Sequence, residues 1–444
     1  MDKKITFSPA IDKAAIFLFS QFSYLCLLVY TGLLLAFGDY MGLVPFPIGG
    51  IQFYGVDIII ILLLLTIMSY GFKFLFNSRL SFLLMVAIAF GVISMVYGIL
   101  NGHDLRDVIG AFRRLFFYML AFQVTWKLLN KPDRVVRVYS LIHLAIIPTI
   151  ILSLYRLRTG TSWSTIFAEG DLRVVSLATA TVLLWVFYDA VTNLIFSKRR
   201  IPMARSLVWL IIAGFILFIS NYRLLWITPL LGGGGILWFS WQQGHIKIGN
   251  FLKSLFWVII GIIISIVLLK ITYNQLYMSI EQKFTEQVLG FQFGGSFRYY
   301  VWGEAWSRLQ NNWLIGVGIG DRLEYAIINS LGYSYIRTST THNILLEVLY
   351  QTGIIGFLSF ILPHLFFIMY VWKHLHTLNQ RWVRPVLTLV STYISIFIIG
   401  IFEPFLTFPN VAVLLYTIMG ITMRYIFWAK IALVQEQTHE NWIA

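Results

Sequence analysis

The residues after His342-Asn343 read ILLEVLYQTGIIGFLSFILPHLFFIMY. An α-helix needs about 20 consecutive apolar residues to cross a bilayer. This run has the length and composition to do so. Similar runs recur near 14–37, 51–72, 81–100, 108–127, 135–155, 173–196, 205–220, 223–241, 252–273, 342–371, 384–402 and 408–429. They are long and continuous and do not alternate with polar residues, which argues against a transmembrane β-barrel. Of the 444 residues 59% are hydrophobic and 12% charged, and the mean hydropathy is +0.79. A soluble domain of this length could not hide so much apolar surface, so the solvent is lipid.

The expected fold is an all-α polytopic membrane protein with about 12 transmembrane helices. Residues 1–273 would carry helices 1–9, residues 274–341 a helical cap, and residues 342–444 helices 10–12 with a polar tail. Within the cap, amphipathic patterns predict short helices over Gln275–Glu286, Phe297–Gln310 and Arg322–Leu331. The run near 14–37 is too long for a cleavable signal peptide and lacks a clear small-residue cleavage site, so it is expected to be retained. Cys26 is the only cysteine, which excludes an intrachain disulfide.

The formal net charge is +14. In a soluble protein that would raise nucleic acid as a partner. Here it follows from the enrichment of Lys and Arg in inside-facing loops. With both ends inside, those loops hold most of the 33 basic residues, including the cluster Lys198-Arg199-Arg200. No nucleic-acid role is called for. The basic residues left on the other side are nearly all arginines, among them Arg106, Arg113, Arg114, Arg156, Arg223 and Arg298. An arginine within a span is costly unless it faces a polar cavity or a partner. Its planar fork also suits phosphate. The outer face is therefore expected to carry a basic cavity at membrane level, suited to the diphosphate of a lipid.

Several of these residues have a plainer local reading. Arg113 and Arg114 lie inside the fourth run and could snorkel to the headgroups; adjacent helical residues point about 100° apart, so one could do so while the other faces the bundle. Arg223 opens the eighth run after the tight turn Ser220-Asn221-Tyr222 and could pair with an outer carboxylate or clamp phosphate. Arg298 and Trp302 are four apart on one helical face, where cation–π packing would suffice. Glu304 and Arg308 have the spacing of a salt bridge. Gly316, Gly318 and Gly320 follow no strand of a βαβ unit and are read as tight turns, not a dinucleotide site. The run Gly232–Gly235 would permit close helix approach or a local break.

His342 is either a boundary residue or a group that handles protons near neutral pH. Glu347, five residues on, is not quite on its face. His143 and His364, deep in apolar runs, are expected to make local hydrogen bonds. Metal chemistry has little support. There is no paired-Asp motif, and Asp171 of Glu169-Gly170-Asp171 is better placed to cap the sixth helix.

Together these residues resemble the O-antigen ligase and polymerase superfamily of polytopic glycosyltransferases. His342-Asn343, nine further residues, Gly353, two more and Gly356 are similar to the ligase signature. Arg298 with Trp302, followed by NNWLIGVGIG, resembles the family's arginine helix and glycine turn. Asn312 and Trp313 stand where that family often has proline. Arg223 after a tight outer turn also fits. The resemblance is specific over about 205–370 and extends to the whole chain in topology.

The resemblance implies an inverting, metal-independent transfer without a cofactor, in the bacterial inner membrane, with the active site facing the periplasm. The donor would be a glycan on undecaprenyl diphosphate. The acceptor would be a lipid A–core sugar hydroxyl in a ligase, or a growing or incoming repeat unit in a polymerase. His342, Arg223 and Arg298 would be catalytic, with His342 taking the acceptor's proton. Arg113, Arg114, Arg156, Asn343 and Trp302 would bind substrate. A flippase for lipid-linked oligosaccharide is the rival from another class. It would need cationic residues in both halves of the membrane and has no need of a capped histidine signature.

Overall fold

The computed structural model describes residues 78–159, 177–196, 200–220, 224–244, 296–329, 332–338, 340–402 and 408–443, with Val175 and scattered positions in 21–65 and 249–271. A short antiparallel hairpin pairs β1 (Phe46–Ile48) with β2 (Ile51–Phe53). The helices are α1 (Arg79–Leu100), α2 (Leu105–Leu115), α3 (Leu120–Leu128), α4 (Pro132–Thr159), α5 (Leu177–Phe196), α6 (Arg200–Ile219), α7 (Leu224–Gln242), α8 (Ser296–Gln310), α9 (Ile344–Leu375), α10 (Gln380–Phe402) and α11 (Pro409–Ile443). Between α8 and α9 a second hairpin pairs β3 (Leu323–Asn329) with β4 (Gly332–Thr338).

Among the described residues, nine helical segments are long and apolar enough to cross a membrane. They coincide with nine of the expected runs. The other three, 14–37, 51–72 and 252–273, fall largely outside the described residues, as does Gln275–Glu286. Bundle order follows from which helices carry apolar side chains all round. In α11, 89% of the most apolar window is buried, and it packs on α3, α4 and α10. By contrast, α1, α4 and α6 expose large apolar residues such as Leu100, Leu144 and Ile201, as lipid-facing helices do. His364 shows how a polar group is accommodated here: it is 1% exposed and hydrogen-bonded to Tyr393 and, at 3.5 Å, to Tyr416. The side chain of His143 lies outside the described residues.

Three expectations need correction. The segment expected as a helical cap is not all helical among the described residues. Arg322–Leu331 was expected as helix, but Leu323–Asn329 is a strand paired with Gly332–Thr338. LEYAIIN and GYSYIRT are rich in aromatic and β-branched residues, which prefer a pleated, half-buried surface, and Leu323 packs beneath Val301, Ala305 and Leu309 of α8. The second apolar run does not begin as helix at Ile51, since Ile51–Phe53 forms β2. The fourth run is not one helix. It divides at Phe116 into α2, a 3-10 turn over Phe117–Met119, and α3. The Phe116 ring lies where a side chain on Gly91 would be, 2.5 Å from an added Cβ. The glycine run of α7 leaves that helix unbroken. Gly232 instead admits the Tyr188 hydroxyl, 2.3 Å from where a Cβ would stand.

Candidate active site

The site is built around the first turn of α9. Helix α2 reaches it through the side chain of Arg114. Asp104 caps α2, accepting from the Arg106 backbone N–H at 2.8 Å. Asp107 lies in the first turn, and Arg113 and Arg114 in the last. Acidic residues thus sit at the positive end of the helix dipole and basic ones at its negative end. Neither arginine snorkels, because each reaches a different buried carboxylate. Arg113 Nη1 is 3.0 Å from Asp57 Oδ2, and the Tyr118 hydroxyl donates to Asp57 Oδ1 at 2.8 Å. Arg114 Nη2 is 3.6 Å from Glu347 Oε1. Asp57 and Glu347 are each 1% exposed.

Asn343, expected to bind substrate, is placed as the N-cap of α9: its Oδ1 accepts from the backbone N–H groups of Leu345 and Leu346 at 3.0 and 3.1 Å. His342 precedes it in the left-handed region, with φ 56°, a conformation uncommon for residues other than glycine, though less so for histidine than for most. The turn is held from both sides. The Thr341 hydroxyl donates to the Asn343 carbonyl at 2.7 Å and accepts from the Asn343 N–H at 3.3 Å. Trp302 Nε1 on α8 donates to the Thr341 carbonyl at 2.8 Å. One turn earlier on α8, Arg298 Nη1 donates to the carbonyl of Phe402, the last residue of α10, at 2.9 Å. Trp302 and Arg298 therefore tie α8 to the start of α9 and the end of α10.

The glycine turn has a larger role than its sequence indicated. Helix α9 is interrupted at Gly353, with φ 64° and ψ −172°. The break frees backbone groups, and residues 312–320 take them up. Val317 and Gly318 N–H donate to the carbonyls of Tyr350 and Gln351, both at 3.0 Å. Ile354 and Ile355 N–H donate to the carbonyls of Trp313 and Leu314, at 2.9 and 3.3 Å. The same loop reaches α1, where Ile319 N–H donates to the Ser94 carbonyl at 3.2 Å. An unpaired peptide group costs several kcal/mol in lipid, so this exchange makes the break tolerable. The glycines are needed for contact: added Cβ atoms at Gly98, Gly316 and Gly353 would lie 2.1, 2.5 and 2.3 Å from neighbouring backbone.

Beyond the loop, Asp321 gathers a polar cluster. Arg308 Nη1 is 2.7 Å from its Oδ2, and His103 Nε2 is 3.8 Å from its Oδ1. The Tyr350 hydroxyl donates to the Asp321 carbonyl at 3.0 Å. Arg308 also pairs with Glu304 at 2.8 Å, as the spacing predicted. Burial alone would lower the Arg308 pKa, but the hydrogen bond that Arg308 donates to Glu304 and the charge of Asp321 raise it above the usual value. Arg322 bonds Asp107 of α2, which raises its pKa as well.

The structure thus brings His342, Asn343, Trp302, Arg298 and Arg114 around the start of α9 and holds Arg113 nearby on Asp57. Arg156 is 6% exposed near the end of α4. Arg223, Glu169 and Asp171 lie outside the described residues. Among the described residues no group of three or more His, Cys, Asp or Glu is placed to hold a metal ion. Sequence reasoning missed Asp57, whose signal was a lone carboxylate inside an apolar run, and set Glu347 aside. Chemically, the arrangement combines a histidine in a rigid turn, fixed guanidinium groups and the positive end of α9, which suits proton transfer beside an anion. No curated protein matches the chain. Residues 207–361, running from α6 through Arg298, the glycine loop and His342 into α9, match the model of the O-antigen ligase family, and the chain is in that segment similar to the O-antigen ligase and polymerase superfamily.

Proposed function

We propose that this protein is an inverting membrane glycosyltransferase that moves a glycan from undecaprenyl diphosphate to a sugar hydroxyl, with no metal and no cofactor. The observation that carries the reading is the rigid turn at His342, fixed by Thr341 and Trp302, inside the segment that matches the O-antigen ligase family. His342 takes the proton of the acceptor hydroxyl. The freed oxygen attacks the anomeric carbon from the face opposite the diphosphate, and the carbon–oxygen bond to the diphosphate breaks. Negative charge builds on the leaving diphosphate, and Arg298 and Arg223 stabilise it, with Arg114, Arg113 and Arg156 in supporting positions. Trp302 and Asn343 fix the turn and present one face to sugar.

In this reading the reaction runs on the periplasmic side of the bacterial inner membrane, with both termini cytoplasmic. A lipid A–core acceptor, making the protein an O-antigen ligase, is the first choice. A polymerase joining repeat units is the second, because the matched segment is of a kind shared across the superfamily. The test is reconstitution in liposomes with undecaprenyl-diphosphate-linked glycan, lipid A–core and excess EDTA. Release of undecaprenyl diphosphate that depends on His342 supports the reading. Product on lipid A–core means ligase, and a ladder on the carrier lipid means polymerase. No release, with intact donor moving between leaflets, would replace the enzyme by a flippase.

A further inference from the structure

Glu347 is an unusual residue for its position. The first two turns of α9 bury Ile344, Glu347, Val348, Tyr350 and Gln351, and Glu347 lies with Ile344, Val348 and Gln351 on a stripe at helical spacing where an aliphatic residue would cost nothing. Its carboxylate is 1% exposed, and Oε1 has no hydrogen-bond partner. The cation facing that oxygen is Arg114, at 3.6 Å. The contrast with Arg113 is informative. There both oxygens of the Asp57 carboxylate are engaged, one by an arginine at 3.0 Å and the other by a tyrosine hydroxyl at 2.8 Å. Burying two charges is repaid only when geometry is excellent and the remaining polar atoms are satisfied. The Glu347 carboxylate meets that condition only in part: the Thr341 backbone serves it, while Oε1 faces Arg114 at 3.6 Å without a hydrogen bond, so stability alone is a poor account of a charge at this position.

What the pair does accomplish is placement. Glu347 N–H donates to the Asn343 carbonyl at 2.8 Å, so the carboxylate sits one turn into α9, directly after the His342 turn. Side chains on a helix lean toward its N-terminus. The carboxylate therefore draws the Arg114 guanidinium toward the end of α9 that bears His342. We infer that Glu347 is a positioning residue that holds Arg114 beside the His342 turn, where Arg114 meets the diphosphate of the lipid-linked donor. The inference rests on the proposed transferase reading.

The test compares Glu347→Gln, Arg114→Gln and the double variant in the full-length protein in nanodiscs. It measures the thermal midpoint, binding of undecaprenyl diphosphate itself, and transfer from the lipid-linked glycan. Glu347→Gln keeps the shape and removes the charge. Its expected result is undecaprenyl diphosphate binding and kcat/KM each weaker by about tenfold, within the range for residues in one ion-pair network. The double variant leaves no unpaired buried charge, so its thermal midpoint should return toward that of the parent while transfer stays low. Recovery of both stability and transfer in the double variant would make the pair structural and overturn the inference. So would unchanged kcat/KM in Glu347→Gln. If Glu347→Gln fails to fold, the double variant decides alone. Full activity of His342→Ala would instead sink the transferase reading, and that result does not depend on Glu347.

Discussion

Gly318 donates its backbone N–H to the carbonyl of Gln351, 3.0 Å away, across the break in α9. The same carbonyl accepts the Ser94 hydroxyl from α1 at 3.1 Å. One peptide oxygen thus joins three segments far apart in the chain. Gly318 has φ 92°, and an added Cβ would lie 2.7 Å from the Gly98 Cα. Gly318→Val should therefore combine backbone strain with a backbone clash and destabilise by about 3 kcal/mol or more. A lower thermal midpoint in detergent, with loss of the folded fraction on expression, is the expected readout. A midpoint equal to that of the parent would contradict the stitched geometry.

His342 stands at φ 56°, where glycine and asparagine are at ease and a side chain costs up to about 1–2 kcal/mol. His342→Gly and His342→Asn should therefore fold as well as the parent or better, while transfer is lost. Stability and activity would move in opposite directions, which separates a chemical role from a structural one. Transfer at the parental rate in His342→Asn would show that the imidazole is dispensable.

Asp57→Ala should leave the Arg113 guanidinium in a buried site without its carboxylate. Breaking a buried pair from one side costs about 3–5 kcal/mol. Replacing both by leucine should restore most of that. The check is a thermal-melt cycle of the two single variants and the double. Additive losses would mean that Asp57 and Arg113 do not depend on each other.

Trp302→Phe keeps an aromatic ring and removes the N–H that holds the Thr341 carbonyl. The lost hydrogen bond should cost about 1 kcal/mol of stability. The larger effect is expected on transfer, because the His342 turn loses its support from α8. Equal, small effects on both would reduce Trp302 to packing.

Two neighbouring surface arginines should behave differently. Arg308 bonds two carboxylates, Glu304 and Asp321, whereas Arg322, about equally half-buried, pairs among the described residues with one, Asp107. Single surface pairs contribute about 0–1 kcal/mol. Arg322→Ala should leave the thermal midpoint nearly unchanged and insensitive to salt, and Arg308→Ala should lower it measurably.

The crossing helices could be read from hydropathy because lipid imposes one requirement on every span: apolar side chains over a fixed length. The arginines stood out for the same reason. Their partners did not. Asp57 and Glu347 are single carboxylates on other segments, and nothing local in the chain couples Asp57 to Arg113 fifty-six positions away. The break at Gly353 was hidden because apolar residues continue on both sides of it. Hydropathy reports burial, not dihedral angles. The strand Leu323–Asn329 was misread because its alternation is short and also fits a helical face, and only pairing with Gly332–Thr338 decides between them.

The exchange of backbone bonds between residues 312–320 and α9 bears on how this protein could be recombined with its relatives. The segment between α7 and α9 looks detachable in sequence. Yet lifting it out would strand the carbonyls of Tyr350 and Gln351 and the N–H groups of Ile354 and Ile355 without these partners. Chimeras that exchange specificity between relatives should therefore transplant the loop and the first three turns of α9 as one inheritance, together with the glycine-bearing end of α1 that receives them.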